Sequence, residues 1–322
     1  LKPVGIFQHR HGGLDPAIHA FTSSNKTWMP ATSASMTTPE TCVANEVPQS
    51  RIGDDIHLDL AGRMTYGDYL QLDTLLAAKK PLTDKHDEHL FIAIHHVQEL
   101  WLNLMAHELD TAIDFILRDE LPPSFKSTAR MTRILEQMIN AWNVLSTMTP
   151  SDYLEFRGSL GQSSGFQSFQ YRLVEFRLGA KDPKMMLPHR HHQRNYERLD
   201  AAFKAPSIYD ASLMLLRKRG FAIPDDIVNR DFSIRHVFSE AVRDAWLKVY
   251  RDSAEYFDLY ELAEELVDLE DWFQQWRFRH MKTVERIIGY KRGTGGSSGV
   301  AFLRTALDQS FFPELWAVRT EL

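Results

Sequence analysis

Residues 88–117 read EHLFIAIHHVQELWLNLMAHELDTAIDFIL. Within them the apolar positions Leu90, Ile94, Val97, Trp101 and Leu104 step by four, three, four and three, the period of an α-helix with one apolar face. Asp84 is placed to cap this helix, and Asp87 and Glu88 fall in its first turn, where negative charge suits the helix dipole. Pro122 and Pro123 are expected to break the chain, since Pro lacks the N–H that a helix interior needs. Outward from there, the pattern predicts a helix over about 127–148, stopped by Pro150. A Gly- and Ser-rich loop is expected over 159–168. Helices follow near 171–178, 209–218, 234–251 and 255–290, the last long enough to be broken once. Residues 184–196 show no clear pattern. Nowhere do Val, Ile and Thr alternate over enough residues for a sheet, and no internal repeat is visible. The reading is an all-α bundle.

The 322 residues suffice for a sizeable core, and 43% hydrophobic with 25% charged residues is the balance of a globular protein. With 37 basic and 43 acidic side chains the net charge is −6. No stripe of Lys and Arg is available for a phosphate backbone, which argues against nucleic acid as a partner. One cysteine, Cys42, cannot close an intrachain disulfide, and a reducing compartment fits best. No apolar run approaches the ~20 residues of a membrane span. The first residues, 1–13, show no continuous apolar region of a secretory signal. The expectation is a cytoplasmic protein that does not bind membranes. Residues 21–50 are rich in Ser, Thr, Pro and Ala without any period. The chain therefore divides into a flexible extension, 1–55, and a helical domain, 56–322.

Fourteen histidines invite a metal reading. There is no His-Glu-x-x-His and no Glu-x-x-His, which removes the zincin and carboxylate di-iron signatures. His189, His191 and His192 follow Pro188 in an expected loop and read as solvated surface, with a stray divalent ion as the other reading. No Gly-x-Ser-x-Gly elbow lies in a strand–turn–helix context, so nucleophilic catalysis is weakly supported. The glycine-rich run 293–299 lacks the Gly-Lys-Ser/Thr ending of a phosphate loop. It can still present backbone N–H groups and a hydroxyl to a small anionic or zwitterionic ligand.

His280 lies in a stripe with Phe273, Trp276, Val284 and Ile287. It reads either as a satisfied core histidine or as an axial ligand, because haem iron takes a neutral imidazole in an apolar slot. His95 shows the same pattern, with Phe91 one turn before it and Glu99 one turn after. Arg157 follows Tyr153 and Phe156 and precedes the Gly/Ser loop. Its two readings are a structural salt bridge and bidentate capture of a carboxylate.

At these residues the chain resembles the tryptophan 2,3-dioxygenase family, in its haem-dependent, bacterial type. The matching segments are TYGDYL (65–70), HDEHLFI (86–92), ELW (99–101), FRGSLGQSSGFQS (156–168), WRFRH (276–280) and GTGGSSG (293–299), in family order over roughly 55–322. The resemblance implies a helical bundle enclosing a b-type haem, with an N-terminal element reaching a neighbouring subunit of a homotetramer. It implies that His280 is the proximal haem ligand and that His95 is the distal histidine, accepting from an indole N–H. Phe91 would pack on the indole, and Arg157, with Tyr153 nearby, would hold the substrate carboxylate. Thr294 would bond the amino-acid head group, Ser164 would sit beside His95, and Gly165 would let substrate or dioxygen approach the backbone. Tyr66, Tyr69 and Leu70 would enter the neighbour's pocket. The implied reaction converts L-tryptophan and O2 to N-formylkynurenine. Rival readings are a haem mono-oxygenase of the same superfamily that forms an oxindole, and a non-catalytic haem or metal sensor. Two departures stand out. His96 follows the distal histidine where the family often has Gln; an ideal helix turns it about 100° away, so only an indirect effect is expected. The extension before residue 55 is also longer than the family requires.

Overall fold

The structure, a computed structural model, describes residues 56–322, and the extension over 1–55 lies outside the described residues. The chain divides into two compact units, Leu1–Arg63 and Met64–Leu322. Of the first, the described residues include a turn closed by Arg63 N–H on the Leu60 carbonyl at 3.0 Å. The second unit is built from thirteen helices: α1 Tyr66–Leu70, α2 Leu72–Ala77, α3 His86–Arg118, α4 Leu121–Leu145, α5 Pro150–Arg157, α6 Phe169–Leu178, α7 Gln193–Lys204, α8 Ile208–Lys218, α9 Asp225–Val228, α10 Glu240–Arg251, α11 Phe257–Ile288, α12 Val300–Leu307 and α13 Pro313–Glu321. No strand occurs among the described residues. The all-α expectation holds.

Helix α3 runs unbroken for 33 residues and stops at Asp119, whose φ of 68° is left-handed. Its N-cap is Lys85 rather than Asp84, with no side-chain cap. Pro122 and Pro123 do not break the chain; they occupy the first turn of α4, which starts at Leu121 instead of 127. The first-turn N–H groups have no intrahelical partner, so a missing donor costs nothing there. Pro150 likewise heads α5, where Thr149 and Asp152 form a capping box. Helix α11 is a single 32-residue rod. The stretch 234–239, expected to be helical, is not. Glu314 of α13 binds it instead, accepting from Ser239 N–H at 2.7 Å and pairing with His236 Nε2 at 2.8 Å.

Helix α4 packs along both α3 and α11, and these three helices hold the core. The buried stripe of α3 is Ile94, Gln98, Leu102, Met105 and Leu109. The period is the expected one, but the stripe is rotated: Val97 is 38% exposed, while Gln98 is buried. The reason is a hydrogen-bonded bridge. Gln98 Nε2 donates to the Met138 carbonyl of α4 at 2.8 Å, and its Oε1 accepts from Trp276 Nε1 of α11 at 3.2 Å. An amide can occupy a core position only when both ends are satisfied.

Glu270 plays the same part at the other end of the core. Fully buried on α11, it accepts from Phe311 N–H (2.7 Å), Phe312 N–H (3.0 Å) and Trp316 Nε1 (2.9 Å), tying down the entry to α13. Glu270→Ala strands the buried Phe311 and Phe312 N–H groups and frees the part-exposed Trp316 Nε1, and is expected to cost about 3 kcal/mol. Urea unfolding checks this, with a midpoint close to wild type speaking against it.

Candidate active site

Two histidines face a common aromatic region from different helices. On α3, His95 Nδ1 lies 2.7 Å from the Phe91 carbonyl. A carbonyl can only accept, so Nδ1 carries the proton and Nε2 keeps its lone pair. Burial holds His95 below its ordinary value against the effect of that bond, and the neighbouring His96 pushes it further the same way. The Phe91 ring lies 4.2 Å from the His95 ring, and Tyr153 and Phe156 of α5 close around Phe91 at 5.8 and 5.5 Å.

On α11, the His280 ring stacks on Trp142 of α4, with centroids 4.6 Å apart and planes 12° from parallel. Trp276 lies on the same helix face at 5.9 Å. Trp142 also meets the His95 ring edge-on at 6.0 Å. Burial, aided by the nearby His95, pulls His280 down to about 4, so the imidazole is neutral and can offer a lone pair near neutral pH. Trp142 Nε1 is buried without a hydrogen-bond partner among the described residues. A neutral imidazole, stacked indole faces and an unmatched N–H together make surroundings that suit a flat group that is apolar in the middle and polar at its edge.

Helix α5 delivers Tyr153, buried, and Arg157, half-buried, to the same wall. Burial raises the Tyr153 phenol, and the Arg157 guanidinium partly offsets this. Arg157 forms no ion pair among the described residues; its Nη2 donates to the Arg292 carbonyl at 2.5 Å. The salt-bridge reading is therefore not what the fold uses. The glycine-rich loop folds back on the 160s loop: the Thr294 hydroxyl donates to the Ser163 carbonyl. A Cβ on Gly295 would come within 2.7 Å of Ser164 Cβ, so glycine is required at this approach. Ser164 Oγ accepts from Phe166 N–H at 3.3 Å. A Cβ on Gly165 would meet nothing within 4 Å, so the backbone there borders open space.

The fold thus gathers Phe91, His95, Tyr153, Arg157, Ser164, Gly165, Thr294 and His280 from α3, α5, α11 and two touching loops. It does not bring in Tyr66, Tyr69 and Leu70. They lie on α1, which buries no residue, and Tyr66 and Tyr69 are 76% and 74% exposed. Trp142 and Gln98 were missed from sequence, although a polar residue in the middle of an apolar stripe was a readable signal for Gln98. The solvated-surface reading of His189 is also corrected. Its side chain is buried beside Phe169, while His191 and His192 are exposed.

Fold and site define an all-helical protein with an aromatic slot bordered by two neutral histidines and an unpaired arginine. The family model for tryptophan 2,3-dioxygenase matches residues 54–203 and 208–322, and the chain belongs to that family. A tryptophan 2,3-dioxygenase of Bacillus thuringiensis subsp. konkukian (strain 97-27) is 55% identical over 267 residues, 83% of this chain and 96% of its own. One from Polaromonas sp. (strain JS666 / ATCC BAA-500) is 53% identical over 286 residues, 89% and 95%. One from Geobacillus thermodenitrificans (strain NG80-2) is 51% identical over 278 residues, 86% and 99%.

The neutral state of His280 has a cost in acid. Its imidazole binds a proton at about pH 4 in the fold and at its ordinary 6.5 in the unfolded chain. Between those values the unfolded state holds the extra proton. Stability therefore falls as the pH drops from 6.5 towards 4 and levels off below. In ligand-free protein, wild type is expected to lose up to about 3 kcal/mol more than His280→Gln across this window. Urea midpoints taken at both ends measure it; parallel losses in the two proteins contradict the assignment.

Proposed function

We propose that the protein is a haem-dependent dioxygenase that cleaves the indole C2–C3 bond of L-tryptophan with O2, giving N-formylkynurenine, the first step of tryptophan catabolism by the kynurenine route. The observation that carries this reading is the pairing of a neutral His280 in an aromatic slot with His95 and the unpaired Arg157, in a chain of this family. The residues fit haem b: the neutral His280 would hold its iron, and Trp142 and Trp276 would supply flat apolar contact. The haem, when bound, supplies the dioxygen chemistry, and the protein supplies orientation and enclosure.

The protein's own groups do the rest. Phe91 packs on the indole ring. His95 Nε2, left free by the Nδ1 bond to Phe91, accepts from the indole N–H. Arg157 exchanges the Arg292 carbonyl for the substrate carboxylate, a charge-assisted and stronger acceptor, with Tyr153 beside it. Thr294 turns its hydroxyl from Ser163 to the amino-acid head group. Ser164 borders this contact, and the open space at Gly165 lets substrate or dioxygen reach the backbone. Holding the ring and head group together fixes the reacting bond in place.

The exposed aromatic face of α1 supports a homotetramer in which Tyr66, Tyr69 and Leu70 complete a neighbour's pocket. No described helix is long and apolar enough to cross a membrane, and a cytoplasmic setting is consistent with that. The name shared by the relatives favours the dioxygenase over the oxindole-forming mono-oxygenase.

Reaction of the ferrous, haem-loaded protein with L-tryptophan and 18O2 is expected to give a product carrying two labelled atoms; one labelled atom indicates the oxindole reaction. Arg157→Ala is expected to raise KM by roughly one to two decades, from loss of one charge-assisted contact. An unchanged KM removes Arg157 from the clamp. His280→Ala is expected to purify without haem, and full haem content in that variant refutes the axial assignment.

A further inference from the structure

A row of aromatic rings leads from the two-histidine slot to α6. The His280 imidazole stacks on Trp142 at 4.6 Å and lies 5.9 Å from Trp276. Trp142 and Trp276 are 6.3 Å apart, and Trp276 meets Tyr171 of α6 at 5.5 Å. Indole and phenol give up an electron readily, whereas the phenyl ring does not. The surroundings of each ring suit a different part of such a transfer. Trp276 Nε1 donates to the Gln98 amide oxygen at 3.2 Å. An amide oxygen is too weak a base to take that proton, so an oxidised Trp276 keeps its N–H and recovers when an electron returns. Tyr171 is placed otherwise. Its phenol lies beside Glu175, one turn further along α6, and beside Arg277 of α11. Burial pushes the phenol up to about 12, so it carries its proton near neutral pH. An oxidised phenol is a strong acid, and the Glu175 carboxylate is a base within its reach. The other phenol at the slot differs. The charged group beside Tyr153 is the Arg157 guanidinium, which cannot take a proton. Phe91 also stands between Tyr153 and His95, with ring distances of 5.8 and 4.2 Å.

We infer that Trp142, Trp276 and Tyr171 form an electron relay that drains oxidising equivalents from the slot when hydrogen peroxide, rather than substrate, meets the haem. The inference rests on the haem held by His280 in the proposed function. Peroxide takes up two electrons as its O–O bond breaks. The haem supplies one, and Tyr171 supplies the other through Trp276 and Trp142. The Tyr171 O–H bond breaks in the same step, its proton goes to Glu175, and a neutral tyrosyl radical is left on α6. The oxidised site thus lies on a different helix from Phe91, His95 and Arg157, and the substrate wall is spared. The relay also resets. Glu175 pairs with both Arg172 and Arg277, and a proton on it leaves two buried guanidiniums without their carboxylate. Once an electron returns to Tyr171, that cost drives the proton back to the phenol oxygen.

The test mixes ferric, haem-loaded protein with an equivalent of hydrogen peroxide in the absence of tryptophan, freezes it, and records the electron paramagnetic resonance spectrum. A tyrosyl signal that narrows in protein grown on ring-deuterated tyrosine is expected. Tyr171→Phe is expected to lose that signal and Trp276→Phe to suppress it, whereas Tyr153→Phe keeps it. Spin trapping in the wild type, followed by peptide mass mapping, locates the radical without any variant, and the adduct is expected on Tyr171. The inference is overturned if haem-loaded wild type gives no tyrosyl signal, or if the adduct falls on Tyr153 or another tyrosine instead. It is also overturned if Trp276→Phe, loaded with haem to the wild-type level, forms the radical in the same yield. A wild type that takes up no haem overturns the proposed function as well, so haem content before peroxide separates the two failures.

Discussion

The geometry of the slot depends on one buried amide. Gln98 bridges α4 and α11 from the middle of α3, donating to Met138 and accepting from Trp276. It sits one turn after His95, and Trp276 sits one turn before His280. Because residues three and four apart share a helix face, this bridge fixes the relative height of the two histidines. A slip of either helix along its axis would break a buried hydrogen bond on each side of the amide. Hydrophobic burial drives the three helices together but is indifferent to small slides between them. The amide is not indifferent, and it converts a bundle into a site with a defined spacing.

The charged groups divide by the same logic. Around α6, Glu175 pairs with both Arg172 and Arg277, and these arginines also reach the carbonyls of Phe166 and Ala306. One carboxylate serves both guanidiniums, so the buried cluster keeps a net charge of +1, and the two backbone carbonyls take further N–H donors of the arginines. Through Phe166, whose ring lies under Arg172 at 5.0 Å and against Phe302 at 5.6 Å, the cluster anchors the 160s loop. Arg157 differs. Among the described residues it meets the Arg292 carbonyl and the Tyr153 phenol but no carboxylate. The unpaired cation is where a carboxylate ligand gains most, whereas the paired cluster is scaffold.

The helical class and the two histidine faces were legible because period is a local property of the chain. Phe273, Trp276 and Ile287 of the predicted stripe lie on the observed buried face of α11, with His280 and Val284 half-buried beside them. The α3 stripe had the correct period and a rotated centre, since hydrophobicity scales cannot place a glutamine in a core. That placement is decided by partners on two other helices. The prolines at 122, 123 and 150 do mark helix boundaries, but they stand in the first turn of the following helix, which sequence did not assign because proline excludes helix interiors and favours helix starts alike. The burial of His189 was illegible because a seven-residue turn, Pro183–His189, carries no period to read. Arg157 left two readings open in sequence, and the structure bears only on the first of them: no ion pair holds it among the described residues.

The polar clamp explains how such a site can be both ordered and selective. Before any ligand arrives, Arg157 and Thr294 are already engaged, each with a backbone carbonyl across the gap between the 160s and the glycine-rich segments. Ligand binding therefore exchanges hydrogen bonds rather than creating them, and little side-chain freedom remains to be lost. A neutral acceptor gains almost nothing from such an exchange. A carboxylate gains the difference between a neutral and a charge-assisted bond, and only when its ring also fills the aromatic wall at Phe91. On the proposed function, selectivity for an aromatic amino acid would arise from the requirement that both gains occur together, on loops that approach closely at Gly295 and Ser164.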